Sequence, residues 1–154
     1  MARSQQSQFA YATVYGTITI AADGKGITHV VLGDVQLGFP VAASAVANRA
    51  ATEIQEYFAG KRKEFDVPLH PQGSAFQKEV WEQLQTISYG HELSAADVAA
   101  KMGKAGSYRS VGTAIKHNPI SILIPSHRVT PIGHTREAKL QRALLAMEKK
   151  NLER

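Results

Sequence analysis

A serine, a histidine and an arginine follow one another in "IPSHRV", residues 124–129. Ser, His and a distant carboxylate are the parts of an activated nucleophile, in which the imidazole takes the hydroxyl proton. The spacing does not deliver that arrangement by itself. Neighbouring side chains on a strand point to opposite faces, so Ser126 and His127 would need a bend or a water between them. The chain also lacks a G-x-S-x-G elbow. A Ser–His–Glu hydrolase and a plain Ser-His turn after a buried strand are both compatible with these residues, and the turn needs fewer assumptions. The six histidines are scattered with no i, i+4 pair, and the chain has no cysteine. Neither a metal site nor a cofactor is expected, and there can be no disulfide or thiol chemistry.

A second pattern points to nucleic acid. Two short runs, "SAADVAAKMG" and "SYRSVGTAIKHNP", are joined by the Gly-bearing turn "GKAG". Ser94 with Asp97 has the spacing of a helix N-terminal capping box. The second run starts at Ser107 and must stop near Asn118-Pro119, because proline disfavours helix in the residue before it. The pair reads as helix–turn–helix, with Arg109 in the first turn of the second helix, where a DNA-contacting residue often lies. A helical hairpin with no ligand is the competing interpretation. Charge favours the former. Residues 1–100 carry 7 Lys/Arg against 10 Asp/Glu, and residues 101–154 carry 11 against 3. The basic pI of about 9.6 is thus a property of the last third, and a localised basic surface fits a polyanion.

The elements that position these residues can be sketched from pattern. At 154 residues the chain is one domain or two very small ones, with 44% apolar and 20% charged residues as in ordinary globular proteins. "YATVYGTITIA", the turn "DGKG" and "ITHVVLG" predict a β-hairpin or meander over 10–32. The Ala-rich run from about 40 to 59 predicts a helix ended by Gly60. A basic, Pro-bearing connection follows, and a subdomain boundary is expected near 70–73, dividing 1–72 from 73–154. Beyond it Ser74 and Gln77 form a capping box for a helix bearing Phe76, Val80, Trp81 and Leu84 on one face. "ISILI" predicts a short buried strand or extended run. The run "TREAKLQRALLAMEKKNLER" predicts a final helix with Leu140, Leu144, Leu145 and Met147 inward. The N-terminal start has no long apolar run and no stretch reaches membrane-span length, so a cytoplasmic protein that does not engage membranes is expected, nucleoid-associated in a bacterium or nuclear in a eukaryote.

Taken in order, "GTITIAADGKGITHVVLG", "EYFAGKRKEFDVPLHPQGSAFQKEVWEQL", "YRSVGTAIKHNP", "ILIPSHRV" and "ALLAME" resemble the O6-alkylguanine-DNA alkyltransferases over most of the chain. The most specific block is "NPISILIPSHRV", where the family carries Pro-Cys-His-Arg and this chain has Ser126 in the cysteine position. The resemblance implies an α/β N-terminal subdomain, a small sheet plus a helix, and a mainly α C-terminal subdomain with a helix–turn–helix. It further implies a monomer that binds double-stranded DNA through the minor groove and flips out the O6-alkylguanine lesion. In the family the cysteine takes the alkyl group irreversibly.

Carried over by position, Ser126 is the acceptor site, His127 and Glu148 are its activating partners, and Asn118 braces it. Arg109 fills the gap left by the flipped base. Ser94, Ala95, Ala96, Ser107, Tyr108, Ser110 and Arg128 fall among DNA-contacting positions. Pro125, Val129 (through its carbonyl) and Thr135 fall in the alkylguanine pocket.

The chain departs from the pattern at three places. Ser126 lacks the soft sulfur and the accessible thiolate of a cysteine, so no self-alkylation is expected. Ala95-Ala96 replaces a Tyr and a polar residue that help rotate the nucleotide. The loop after Val129, "TPIGHTREAK", is shorter than usual and lacks a Gly-Tyr-rich segment. An engineered trapping variant and a natural alkyltransferase-like lesion binder both account for Ser126, and the other two departures favour the latter or a heavier redesign. A helix–turn–helix DNA-binding module without a lesion pocket is the alternative from another class.

Overall fold

A computed structural model describes residues 6–152 of the chain. They divide into two compact units. The first runs to Gln72 and takes back residues 119–123. The second comprises 73–118 together with 124 onward.

In the first unit three strands form an antiparallel meander, β1 (Ser7–Thr13), β2 (Gly16–Ala22) and β3 (Ile27–Leu32), with β2 in the middle. The first predicted strand segment is in fact two, because the chain reverses at Val14-Tyr15 and Gly16 takes φ +108°. Thr13 pairs with Gly16 across this turn, and a tally of β-branched residues could not see it. At the next turn Asp23 accepts hydrogen bonds from the N–H groups of Lys25 and Gly26. Segment 67–70 then lies along Ile27, with Ile27 N–H donating to the Pro68 carbonyl at 2.9 Å. A side chain at Gly26 would place its Cβ 2.6 Å from that carbonyl oxygen, so only glycine lets the strands approach this closely.

Helix α1 (Ala45–Phe58) starts five residues later than its pattern predicts. Residues 40–42 are held extended against β1 by Gln8, whose N–H donates to Pro40 and whose carbonyl accepts from Ala42. Ser44 then caps the helix through the Ala47 N–H. Ala47, Ala50, Ile54 and Tyr57 form its buried stripe. Within this stripe Glu53 is 4% exposed. Its carboxylate accepts from the N–H groups of Asp66 and Val67 at 2.9 and 3.2 Å and from Arg49 at 3.2 Å.

The predicted "ISILI" strand does not form. Ile120 makes a single bridge to Val30, and Ser121–Leu123 then turn, with Ile122 at φ +75°. That left-handed backbone ends strand geometry after one residue. An apolar run of five carries no periodicity that distinguishes a buried turn from a buried strand.

The second unit is helical: α2 (Ala75–Leu84), α3 (Ala95–Lys101), α4 (Tyr108–Lys116) and α5 (Ala138–Leu152). Both expected capping boxes are present, Ser74 with Gln77 and Ser94 with Asp97. Ser107 does not cap α4 through its side chain; it ends a 3-10 turn, Ala105–Ser107, that leads into the helix. Trp81 of α2 is buried and its indole N–H donates to the Ala114 carbonyl of α4 at 2.9 Å. Helix α5 begins after Glu137, and Glu153 and Arg154 lie outside the described residues. Leu144 and Leu145 are buried, while Leu140 and Met147 are half-buried.

The fold therefore matches the expected class of a small sheet with a helix followed by a helical part. Glu53→Leu should cost about 2 kcal/mol in urea unfolding, because two backbone N–H groups lose their acceptor, one of them buried.

Candidate functional site

Ser126 sits in a 3-10 turn, Ser126–Arg128, and not at the end of a strand. The turn is closed by Arg128 N–H on the Pro125 carbonyl and Val129 N–H on the Ser126 carbonyl, both 3.1 Å. It is the bend that regular strand geometry lacked. On one side, Leu93 brackets the chain: its N–H donates to the Arg128 carbonyl and its carbonyl accepts from Thr130. The Val129 carbonyl takes no part in these bonds.

Asn118 follows the end of α4. Its side-chain amide donates to the Ile124 carbonyl at 2.8 Å and to Ser126 Oγ at 2.6 Å. One amide thus fixes both the backbone before the turn and the hydroxyl on it. Pro119 stops the helix so that Asn118 leaves the helical register.

Glu148, from the third turn of α5, is fully buried and is the hub of the cluster. Its Oε1 accepts from Gly90 N–H at 2.9 Å and Arg128 Nε at 2.8 Å. Its Oε2 accepts from Arg128 Nη2 at 3.0 Å and His127 Nε2 at 2.6 Å. Arg128 Nη1 donates to the Ile87 carbonyl at 2.7 Å, and its guanidinium lies 5.6 Å from the centre of the Tyr89 ring. The carboxylate is therefore supplied with four donors, and the bidentate guanidinium neutralises it. Among the described residues no buried side-chain nitrogen or oxygen is left without a partner.

This hub dictates the state of His127. A carboxylate only accepts, so the Nε2 atom of His127 carries the proton. Burial holds the imidazole below the ordinary histidine value; Glu148 opposes this and the positive Arg128 adds to it. In a neutral ring protonated at Nε2, Nδ1 is the acceptor atom.

The expected site residues fare differently. Ser126, His127, Glu148 and Asn118 are brought together through hydrogen bonds. Pro125 and Val129 are buried in the same turn. Arg128, assigned to DNA contact, is instead 7% exposed with its guanidinium spent on Glu148 and Ile87. Thr135 lies in an exposed loop, where its carbonyl accepts from Ala138 at the start of α5. None of the bonds that hold the cluster reaches Thr135.

Ser94 spends its hydroxyl on capping α3, with half-buried Ala95 and exposed Ala96 following. Tyr108, Arg109 and Ser110 are exposed on the first turn of α4, and Ser107 is half-buried before them. Sequence reasoning missed Gly90, which takes φ +78°. A Cβ there would run into the Leu152 side chain. The Tyr89-Gly90 pair between two helices marks a turn, but nothing in it announces a contact with residue 148.

Comparison with known proteins agrees with this geometry. Residues 9–71 match the family model for the "6-O-methylguanine DNA methyltransferase, ribonuclease-like domain" and residues 75–150 match that for its "DNA binding domain". A methylated-DNA–protein-cysteine methyltransferase of Methanosarcina barkeri is 35% identical over 147 residues, covering 89% of this chain and 93% of that protein. The chain belongs to the methylated-DNA–protein-cysteine methyltransferase family. The crystal structure of Mycobacterium tuberculosis OGT in complex with DNA is similar at a TM-score of 0.86 and 33% identity, covering 94% of each chain. A methyltransferase from the archaeon Pyrococcus kodakaraensis shares the fold at a TM-score of 0.53 and 18% identity. A family named for its cysteine acceptor is represented here by a chain with no cysteine at all.

Two outcomes follow from the hub. Arg128→Met should lower stability by about 3–5 kcal/mol in chemical denaturation, because it strands a buried carboxylate. A DNA-contacting arginine on the surface would change stability very little. His127 should titrate below the ordinary 6.5 of a histidine in an NMR pH series. The unfolded chain then takes up a proton that the folded one refuses. His127 thus contributes stability that is present above pH 6.5 and lost as pH falls from there.

Proposed function

We propose that this protein binds duplex DNA carrying O6-alkylguanine, takes the damaged base out of the stack and holds it at the Ser126 turn without accepting the alkyl group. The observation that carries the proposal is the intact frame around a missing sulfur. Asn118 is hydrogen-bonded to Ser126, His127 and Arg128 to Glu148, and the turn that joins these groups begins with a serine. Membership of the family supplies DNA and O6-alkylguanine as the ligands, and the similar Mycobacterium tuberculosis protein has been crystallised with DNA.

The chemistry separates holding from transfer. In a thiol version of the site, the proton on sulfur leaves through the His127 base, the S–C bond forms as the C–O6 bond breaks, and guanine departs reprotonated. A serine hydroxyl is far harder to ionise than a thiol of pKa near 8.5 and is a harder nucleophile toward alkyl carbon. The His127 base is too weak to make up that difference. What survives is recognition. The Val129 carbonyl makes none of the bonds that hold the turn and is an acceptor for the guanine edge. Arg109 stands exposed on α4, where it can occupy the space of the extruded base. The exposed cations that end α3 and α4, Lys101 and Lys116, suit DNA phosphates. The protein acts as a monomer on this reading and needs no cofactor.

The test compares the Ser126 chain with Ser126→Cys on a duplex bearing one O6-methylguanine. The Ser126 chain should bind the lesion duplex more tightly than the undamaged one and show no covalent product by mass spectrometry. Ser126→Cys should gain one alkyl group per protein. Equal binding of both duplexes would reduce the protein to a DNA-binding module, and an unlabelled Ser126→Cys would place the loss of transfer in the pocket as well as at residue 126.

A further inference from the structure

The first turn of α4 carries more than one group suited to a gap in a base stack. Tyr108 is 46% exposed, among the few large hydrophobic side chains of the described residues left in solvent. Its neighbour Arg109 lies with the guanidinium carbon 5.8 Å from the centre of the Tyr108 ring, within cation–π range. Single exposed aromatics are common and need no function. This one differs in its company. It shares a helix turn with an unburied arginine. A Cβ built at Gly103, Gly106 or Gly112 meets nothing within 4 Å. Lys101 ends α3 and Lys116 ends α4 itself, and both are exposed. An exposed aromatic ring beside a cation is the composition that stacks on nucleobases while cations track phosphates.

We infer that Tyr108 is a second stacking residue of the DNA site, whose ring packs against a base beside the vacated position while Arg109 occupies the vacancy itself. The inference rests on the DNA-binding reading given above and extends it to a residue-level role. The ring has two faces. Arg109 lies over one of them, which holds ring and guanidinium as a single wedge. The other is left for a base, and every base offers a π-face, so the contact adds affinity without naming a sequence. Ring stacking is uncharged and releases no counterions, so its energetic signature differs from that of a phosphate contact.

The experiment measures affinity for a short duplex with one O6-methylguanine, over a range of salt, for the Ser126 chain, Tyr108→Ala and Tyr108→Phe. Tyr108→Ala should bind on the order of tenfold more weakly, the usual scale of one base–aromatic stack. Its slope of log affinity against log salt should match that of the Ser126 chain, whereas a lost phosphate contact would reduce the slope by about 1. Tyr108→Phe should restore the affinity, because the ring and not the hydroxyl does the work. All three should melt alike, since the side chain is exposed. Equal binding by Tyr108→Ala overturns the inference and leaves the DNA reading standing. A loss in Tyr108→Phe as large as in Tyr108→Ala also overturns it, in favour of a hydroxyl contact to the backbone. Failure of the Ser126 chain to bind the duplex overturns both.

Discussion

The second unit is organised around one buried carboxylate. Glu148 has no exposed surface and four donors: two from Arg128, one from His127 and one from the Gly90 backbone. A charge in that position is tolerable only with its lone pairs filled and its sign matched. Each donor therefore imposes a condition on a separate piece of chain. Residues 126–128 must turn tightly enough to send two successive side chains to the same oxygen atoms. The segment after α2 must bring a backbone N–H to within 2.9 Å, which requires a left-handed residue at 90. Helix α5 must present residue 148 inward although Lys149 and Lys150 beside it face solvent. The Leu93 bracket on Arg128 and Thr130 then holds the turn from its other side.

A network of this kind is a poor way to gain stability. Well-packed apolar residues in place of a buried ion pair are often as stabilising or more so. What it provides is orientation. The carboxylate decides which imidazole nitrogen keeps the proton, and burial together with Arg128 keeps the ring neutral. Asn118 adds the other constraint by pinning both the approach to the turn and the Ser126 oxygen. The result is a neutral imidazole and the Ser126 hydroxyl on successive residues of one 3-10 turn, each with a hydrogen-bond partner. Preorganised dipoles of this kind serve binding and reaction alike.

How far the sequence displayed this depends on the range of each interaction. Local rules worked where the interaction is local. The capping boxes at Ser74 and Ser94 need only three residues, and the stop at Asn118-Pro119 needs two. The sheet, α1 and the helical run were legible from period and composition, although Gln8 shortens α1 by tethering residues 40–42 from thirty residues away. Two misses are local, the reversal at Val14-Tyr15 and the absent Ser107 cap; the others are long-range. "ISILI" has no period to read, and its turn is decided by pairing with Val30. Gly90 and Arg128 owe their roles to a glutamate 58 and 20 residues away. An arginine beside a histidine in a basic segment reads as a surface cation until the buried acid is known. The grouping of Asn118, Ser126, His127 and Glu148 was visible only through family resemblance, since no spacing rule joins residues 118 and 148.

Charge and geometry together separate two properties that a cysteine acceptor would combine. Transfer needs a polarizable, ionisable atom at residue 126, and oxygen in place of sulfur removes it without disturbing the turn. Recognition needs acceptors and donors at fixed positions, a wedge for the base stack and cations for phosphates, none of which is supplied by residue 126. The Ser126 oxygen is instead taken into the frame as an acceptor for Asn118. A hydroxyl held in this way costs nothing in unsatisfied polarity and leaves the His127 base with no thiol to deprotonate. On the proposed reading the frame would act on a bound base as a set of fixed dipoles. A site without transfer would not be consumed, and its occupancy would be governed by dissociation, where an irreversible acceptor is used up in one event.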